Sequence, residues 1–431
     1  MKRFLIADSK EYIGKDVTVR GWVFNKRSSG GLIFLHIRDG SGFLQVTAVK
    51  SEVSEDIFKI ASDVMIESSV EVSGMLKEEP RAPGGYEIAL KDIKVIQSVS
   101  EEYPIGKKEH GPDFLLSNRH LWIRSKRQWA ILRIRNHLIN AINEYLQKEH
   151  FLRFDAPIIT PSACEGTTTL FELDYFGEKA YLTQSGQLYL EAAIASFGRA
   201  YDFGPIMRAE RSKTRRHLIE FWMMDAEAAF VEQDENMDIQ EAFIKYVIAY
   251  VLEKAKNELT IIERDTAPLT AILDKPFLRM RYADAIKKLQ ELGSDIESGT
   301  DFGNDDETIL MTHYKVPVFV TNYPASIKAF YFKRDESGKN ALCADLLAPE
   351  GYGEIIGGGQ REDNYNTLLT RIEEHGYNKK DYDWYLDLRK YGSVPHSGFG
   401  IGLERLLAWV CKLEHVRETI PFPRMLERFR P

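Results

Sequence analysis

Residues Gly204 to Phe230 read GPIMRAERSKTRRHLIEFWMMDAEAAF, and the rest of the chain is read outward from them. An apolar lead-in, Phe203 to Met207, ends in Arg208 and Glu210. A cationic segment follows with Arg211, Lys213, Arg215, Arg216 and His217. A second apolar run, Phe221 to Phe230, is interrupted by Asp225 and Glu227. Apolar run, charged loop and apolar run predict an antiparallel hairpin with a charged tip. Side chains two apart on a strand share a face. Arg208 and Glu210 are therefore expected together, as are Phe221, Met223, Asp225 and Glu227. Guanidinium forks clamp phosphate oxygens and an aromatic ring stacks on a base, so such a ribbon suits a nucleotide polyphosphate. The plainer alternative is a hairpin whose basic tip is simply solvated.

The chain has 431 residues, enough for two or three domains. Hydrophobic residues at 44% and charged residues at 28% are ordinary for a soluble enzyme. A net charge of -8 argues against coating nucleic acid by bulk charge, but local patches steer better than totals. One such patch is Arg119 to Arg135, rich in Arg and Lys and free of acids. Cys164, Cys343 and Cys411 are odd in number and show no metal or disulfide spacing, which points to a reducing cytoplasmic setting. No apolar run reaches membrane length, and MKRFLIADSK does not read as a signal peptide.

Up to about Val99 the pattern is of short strands. Ile33, Leu35 and Ile37 alternate with Phe34, His36 and Arg38, and Asp39-Gly40-Ser41-Gly42 marks a turn. About five strands predict a Greek-key barrel of the OB type. Phe34, His36, Arg38 and Gln45 are expected on its outward face, where an aromatic beside hydrogen-bonding groups can read single-stranded RNA. Residues 98–116 lack periodicity. Ser125 and Gln128 then make a capping-box pattern ahead of a helix with an Ile131, Ile134, Leu138, Ile142 and Tyr145 stripe. Lys328 to Phe332 has strand character. Further on, GYGEIIGGGQR over Gly351–Arg361 lacks the Gly-Lys-Ser/Thr of a P-loop and instead permits close backbone approach to a ligand.

RAERSKTRRHLIEF resembles motif 2 of the class II aminoacyl-tRNA synthetases, in the form of the aspartyl/asparaginyl branch. GFGIGLER, Gly398–Arg405, resembles motif 3. The helix from Ser125, the strand after it and Pro157 resemble motif 1, which builds a dimer interface in that family. The resemblance implies an α+β protein: an anticodon-binding OB-fold barrel over 1–100, a hinge over 101–118, and over 119–431 a catalytic domain whose antiparallel sheet is flanked by helices. It implies ATP and Mg2+ as cofactors. Arg208, Glu210, Arg216, His217, Leu218, Phe221, Glu354, Gly402 and Arg405 would meet ATP, with Arg405 over the adenine opposite Phe221, and Asp345 and Glu354 would hold the metal. Glu165, Ser185, Gln187, Arg208, Asp225, Gly357 and Arg361 would meet the amino acid, and the loop Glu165–Phe171 would close over it. Arg27, Phe34 and Gln45 would read the anticodon. Arg208, Glu354 and Arg405 carry the catalytic expectation.

Aspartate-specific members of the branch carry Lys where this chain has Leu190. A β-carboxylate beside Arg361 would want that second cation, whereas an amide wants an acceptor for its NH2, which Asp225 is placed to supply. The resemblance therefore implies L-asparagine and tRNA(Asn) as partners of a cytoplasmic homodimer with no membrane attachment. Asp225 itself is the aspartyl form of that position, so an aspartyl enzyme stays open. A paralogue releasing a free adenylate and a non-catalytic RNA-binding regulator also stay open, the first set against the intact barrel and the second against Arg208, Glu354 and Arg405.

Overall fold

Alternation of apolar residues builds the first half of the molecule. The structure, a computed structural model, describes residues 4–106, 108–166 and 169–431, in two units, Met1–His110 and Gly111–Pro431. In the first, strands β1 (Asp16–Ser29), β2 (Leu32–Arg38), β3 (Phe43–Val49), β4 (Ser69–Glu78) and β5 (Tyr86–Gln97) close into a barrel in the order β1-β2-β3-β5-β4. Val19, Val23, Leu35, Ile37, Val46 and Val72 are sealed inside it, each contributing about 1.5–3 kcal/mol through burial. A helix, Glu55–Asp63, which strand alternation does not foretell, links β3 to β4, its first turn capped by Ser54 Oγ accepting from the Ile57 N–H.

Two of the four outward residues differ from expectation. Arg38 is buried, its Nη1 and Nη2 donating to Glu67 at 3.1 and 2.9 Å. Gln45 is 4% exposed and donates to Glu87 Oε2 at 2.8 Å. Outward-facing positions on a short barrel are still covered by neighbouring side chains, and alternation alone does not say which. Phe34 stays partly open, with the Arg27 guanidinium 5.0 Å from its ring centroid.

Of residues 101–118, read as a hinge, Pro112–Ser117 is helical and belongs to the second unit. The main helix, Lys126–Lys148, is capped as expected by Ser125 Oγ, which accepts from the Gln128 N–H. The Gln128 side chain does not return to the cap. It donates to Glu418 and accepts from Arg119, tying the helix to the C-terminal segment. Ile131, Ile134, Leu138 and Ile142 are fully buried in the main core with Phe243, Val247 and Val251 of the helix Gln233–Lys254.

That core lies under an eight-stranded sheet. Its strands in chain order are β6 (Leu152–Arg153), β10 (Arg199–Met207), β11 (Glu220–Ala229), β12 (Leu278–Arg281), β13 (Val318–Thr321), β14 (Cys343–Ala348), β15 (Gly353–Gln360) and β16 (His396–Gly402). The spatial order is β12-β13-β14-β15-β16-β11-β10-β6. From β13 to β10 every pairing is antiparallel; the short edge strands β12 and β6 pair in parallel. A small sheet of β7 (Ile159–Thr160), β8 (Glu172–Tyr175) and β9 (Glu178–Leu182) stands apart. Lys328–Phe332 forms no strand; a 3-10 turn, Ala325–Ile327, precedes it, and only Phe332 bridges to Arg361. Of the loop Glu165–Phe171, Thr167 and Thr168 lie outside the described residues.

The hairpin β10–β11 forms without a bulge, so the two-residue parity holds along β11. β16 lies beside it with Gly400 opposite Asp225 and Gly398 opposite Glu227. Gly398 is required there: a Cβ would overlap the Glu227 carboxyl. The sheet thus presents an acid-lined strand against two glycine-rich ones, and the cavity opens where side chains are missing.

Candidate active site

A cavity of ≈ 400 Å³ lies over β11, β15 and β16. Its wall contains Glu165, Ser185, Gln187, Arg208, Glu210, Arg216, His217, Leu218, Phe221, Asp225, Asp345, Glu354, Gly357, Arg361, Gly402 and Arg405. Every residue marked in the sequence for ATP, the amino acid or the metal is therefore in one place. Leu190 is not: it is fully buried against Ala193, Ile194 and Ala200.

One end of the cavity is cationic. Arg208 leaves β10, its guanidinium 5.8 Å from the Phe221 ring centroid. Its Nη2 reaches the Gln184 carbonyl only at 3.5 Å, and its Nε is buried with no partner among the described residues. An orphaned buried donor on a fixed guanidinium is a receptor for an anionic acceptor. Arg405, in the first turn of the helix Leu403–Cys411, donates to Glu354 Oε2 at 2.7 Å. Burial pushes the Glu354 carboxyl up, but Arg405 and Lys328 hold it below its usual value. His217 meets Glu210 at 3.2 Å; burial and Arg405 lower its pKa, favouring the neutral ring.

At the other end Asp225 Oδ2 accepts from Ser185 Oγ and from the Gly186 N–H, both at 2.8 Å. Burial raises the Asp225 pKa against those two donors. Arg361 is buried and paired with Glu227: Nε lies 3.0 Å from Oε1 and 3.3 Å from Oε2. Burial raises Glu227 to about 7, with Arg361 opposing the rise, and Glu227 in turn holds Arg361 further in its charged form. Glu191 sits fully buried nearby, accepting from Arg389 at 2.6 Å and from both Gln187 and Tyr385, so Gln187 is anchored from behind. The backbone N–H groups of Cys164 and Glu165 both donate to Gln184 Oε1, which steadies the near end of the loop.

Four of these residues carry no mark in the sequence reading: Glu227 as a partner of Arg361, Gln184, Lys328 and Glu307. Glu227 shares a strand face with Asp225, so parity was a signal for it. Lys328, whose Nζ is 2.7 Å from Asp345 Oδ2, comes from a segment that reads as a strand and forms none, and Glu307, 2.5 Å from Arg216 Nη1, from one the sequence reading left unmarked.

The metal expectation can be tested on geometry. Asp345 and Glu354 lie on the neighbouring strands β14 and β15. A Cβ placed on Gly357 would be 3.0 Å from Glu354 Oε1 and 3.6 Å from Asp345 Oδ1, so both oxygens converge over a cradle that only glycine leaves open. The outer oxygens are already taken by Arg405 and Lys328. Two hard oxygen donors with room between them fit an ion that keeps its other ligands from phosphate and water.

An antiparallel sheet carries an orphaned guanidinium, a pair of convergent carboxylates and a buried polar pocket, on a chain with an OB barrel, which is the layout that the motif resemblance implies. Residues 111–426 match the family model "tRNA synthetases class II (D, K and N)", and 17–96 match "OB-fold nucleic acid binding domain". The asparagine--tRNA ligase of Pelotomaculum thermopropionicum is 53% identical over the full length of both chains. The asparaginyl-tRNA synthetase of Pyrococcus horikoshii, solved with asparaginyl-adenylate, superposes with a TM-score of 0.95 at 45% identity over all of both chains. The enzyme of Entamoeba histolytica, also with asparaginyl-adenylate, gives 0.88 at 33% identity over 97% of each. The chain belongs to the asparaginyl branch of the class II tRNA synthetases.

Proposed function

We propose that this chain joins L-asparagine to tRNA(Asn) with ATP, in two steps at the cavity over β11, β15 and β16. An oxygen of the asparagine carboxylate bonds to the α-phosphorus of ATP, and the bond to the β-phosphate oxygen breaks, releasing pyrophosphate. The terminal ribose hydroxyl of the tRNA then attacks the adenylate carbonyl, and AMP leaves. No side chain is needed as a covalent nucleophile; catalysis is positioning and charge stabilisation. The observation that carries this is Arg208, whose buried Nε has no partner among the described residues. From the cationic end of the cavity it would hold the reacting carboxylate and the α-phosphate together. Phe221 offers a stacking face for adenine, with Glu210, Leu218 and Gly402 around it. His217, Arg216 and Arg405 face the polyphosphate. Glu165, which accepts from the Tyr331 hydroxyl at 3.0 Å, would take the substrate ammonium, with Ser185 and Gln187 beside it. Gly357 gives the substrate room next to Arg361. Glu354 and Asp345 would hold Mg2+, which when bound neutralises the leaving pyrophosphate. ATP–pyrophosphate exchange with asparagine and aspartate side by side tests the reading; exchange supported by neither would sink it.

The barrel would read the anticodon. Phe34, partly open and flanked by Arg27, would stack on a base, and the buried Gln45 Oε1, which has no partner among the described residues, would accept from one. Phe34→Ala is expected to lower tRNA charging about ten-fold or more, since stacking contributes roughly 1–3 kcal/mol per base. Gln45→Ala is expected to lower it too, and tRNA-independent pyrophosphate exchange should be spared in both. Equal damage in the two assays would mean that these residues support the barrel.

A homodimer formed through 125–157 is also proposed. Leu152 is 44% exposed in this unit, and just beyond the segment Ile158 and Ile159 are 44% and 46% exposed; such surface is commonly covered by a partner. Sedimentation equilibrium is expected to give the mass of two chains at micromolar concentration, and a lone monomer there would contradict it. No helix among the described residues is long and apolar enough to cross a membrane. Three buried free cysteines suit the reducing cytoplasm, where charged tRNA is consumed.

A further inference from the structure

Arg216 is held more firmly than a loop arginine ordinarily is. Its Nη1 donates to Glu307 Oε2 at 2.5 Å, and its Nη2 donates to Thr308 Oγ1 and to the Gly351 carbonyl, both at 2.6 Å. Glu307 and Thr308 lie on the helix Asn304–His313, from a segment between β12 and β13 that contributes nothing to motifs 2 or 3. Glu307 Oε2 also accepts from the Glu354 N–H at 3.1 Å, so one carboxylate spans the motif 2 loop and the start of β15. The pair closes over Gly353, which has a φ of 72° and where any Cβ would overlap both Glu307 and Arg216. The Arg216 Nε takes no protein acceptor among the described residues, and Arg216 is in the cavity wall.

We propose that Glu307 is a positioning residue for ATP: it fixes the Arg216 guanidinium in advance, so that the polyphosphate meets a preset cation and does not have to order a mobile one. The inference rests on the reading that Arg216 meets ATP. A flexible arginine loses rotamer freedom when it grips a ligand, and holding it beforehand removes that loss from binding. A carboxylate on the far edge of a buried guanidinium also keeps the charge compensated while the site is empty. Glu307 therefore acts on ATP through Arg216 and has no reason to affect asparagine.

The test is a double-mutant cycle in pyrophosphate exchange on the full chain, reading KM for ATP and KM for asparagine separately. Arg216→Ala is expected to raise KM for ATP about ten-fold or more, as for loss of a charge-assisted donor. Glu307→Ala is expected to raise it about five-fold or more, with Glu307→Gln between it and wild type, because the amide keeps one hydrogen bond without the charge. Placed on Arg216→Ala, Glu307→Ala should add little, and Glu307→Gln, which keeps an oxygen acceptor for the Glu354 N–H, should add nothing, while KM for asparagine should stay put throughout. If Glu307→Ala leaves KM for ATP alone or lowers it, the carboxylate does not position the arginine and the proposal is overturned. The same follows if it harms the Arg216→Ala enzyme as much as the wild type, or raises KM for asparagine equally. If Arg216→Ala itself has no effect on ATP, the reading of Arg216 fails, and the proposal with it. Thermal melting of each variant shows whether it folds, and Glu307→Gln carries the cycle if the alanine variant does not.

Discussion

Arg208→Ala and Arg405→Ala are each expected to lower ATP–pyrophosphate exchange by roughly a hundred-fold or more, because one preorganised donor to transition-state charge is typically worth a few kcal/mol. The two should differ in how they fail. Arg208 has a buried donor with no protein partner among the described residues, so its removal leaves no orphaned carboxylate and the melting temperature should hardly move. Arg405 compensates the half-buried Glu354 at 2.7 Å. Its removal leaves that charge alone, and breaking one side of a partly buried pair is modestly destabilising. Arg405→Lys is the control for this: it restores the charge near Glu354 without the forked geometry, so it should recover stability and only part of the exchange. Exchange close to wild type in either alanine variant would remove that arginine from the chemistry.

Selection of asparagine over aspartate is expected to reach roughly 10⁴ at neutral pH, the order of discrimination open to a site built on hydrogen-bond complementarity. The structure relocates the reason for it. Leu190 packs into an apolar cluster away from the cavity, so the missing lysine is only part of the account. We propose that the decisive feature is Glu227, which takes up the charge of Arg361 at 3.0 Å. Arg361 then offers its donor to an amide oxygen with little net positive charge to reward a carboxylate, while Asp225 repels one. Glu227→Gln keeps the shape and leaves Arg361 uncompensated. It is expected to raise aspartate activation and lower asparagine activation, narrowing the ratio by about ten-fold or more.

The pH dependence has a definite sign. Burial raises Glu227 to about 7, so it gains a proton as the pH falls from about 8 to about 6. The pocket then becomes less negative, and rejection of aspartate weakens. The asparagine-to-aspartate ratio should therefore fall on going from about pH 8 to about pH 6, and Glu227→Gln should flatten the slope. A ratio that rises on acidification, or a Glu227→Gln enzyme as selective as wild type, would show that another group sets specificity.

The sequence by itself determined the pieces that rest on local physics. Period-two apolar alternation placed the barrel strands and the hairpin β10–β11, the Ser125 cap and its stripe placed the long helix, and strand parity put Phe221, Asp225 and Glu227 on one face. The residues marked from the family resemblance for ATP, the amino acid and the metal all line one cavity. Only the tertiary structure decided the charge pairing. Arg361 meets Glu227 across 134 positions of chain, Arg216 meets Glu307 across 91, and Lys328 meets Asp345 from a segment that is not even a strand. These contacts follow from the strand order β14-β15-β16-β11 and from glycines at Gly353 and Gly398 that let carboxylates approach. Outward barrel positions behaved the same way, since Arg38 was covered by Glu67 from the turn before β4 and Gln45 by Glu87 of β5. A side chain's charge is written in the sequence, but whether that charge is free or compensated depends on which distant segment the fold lays against it.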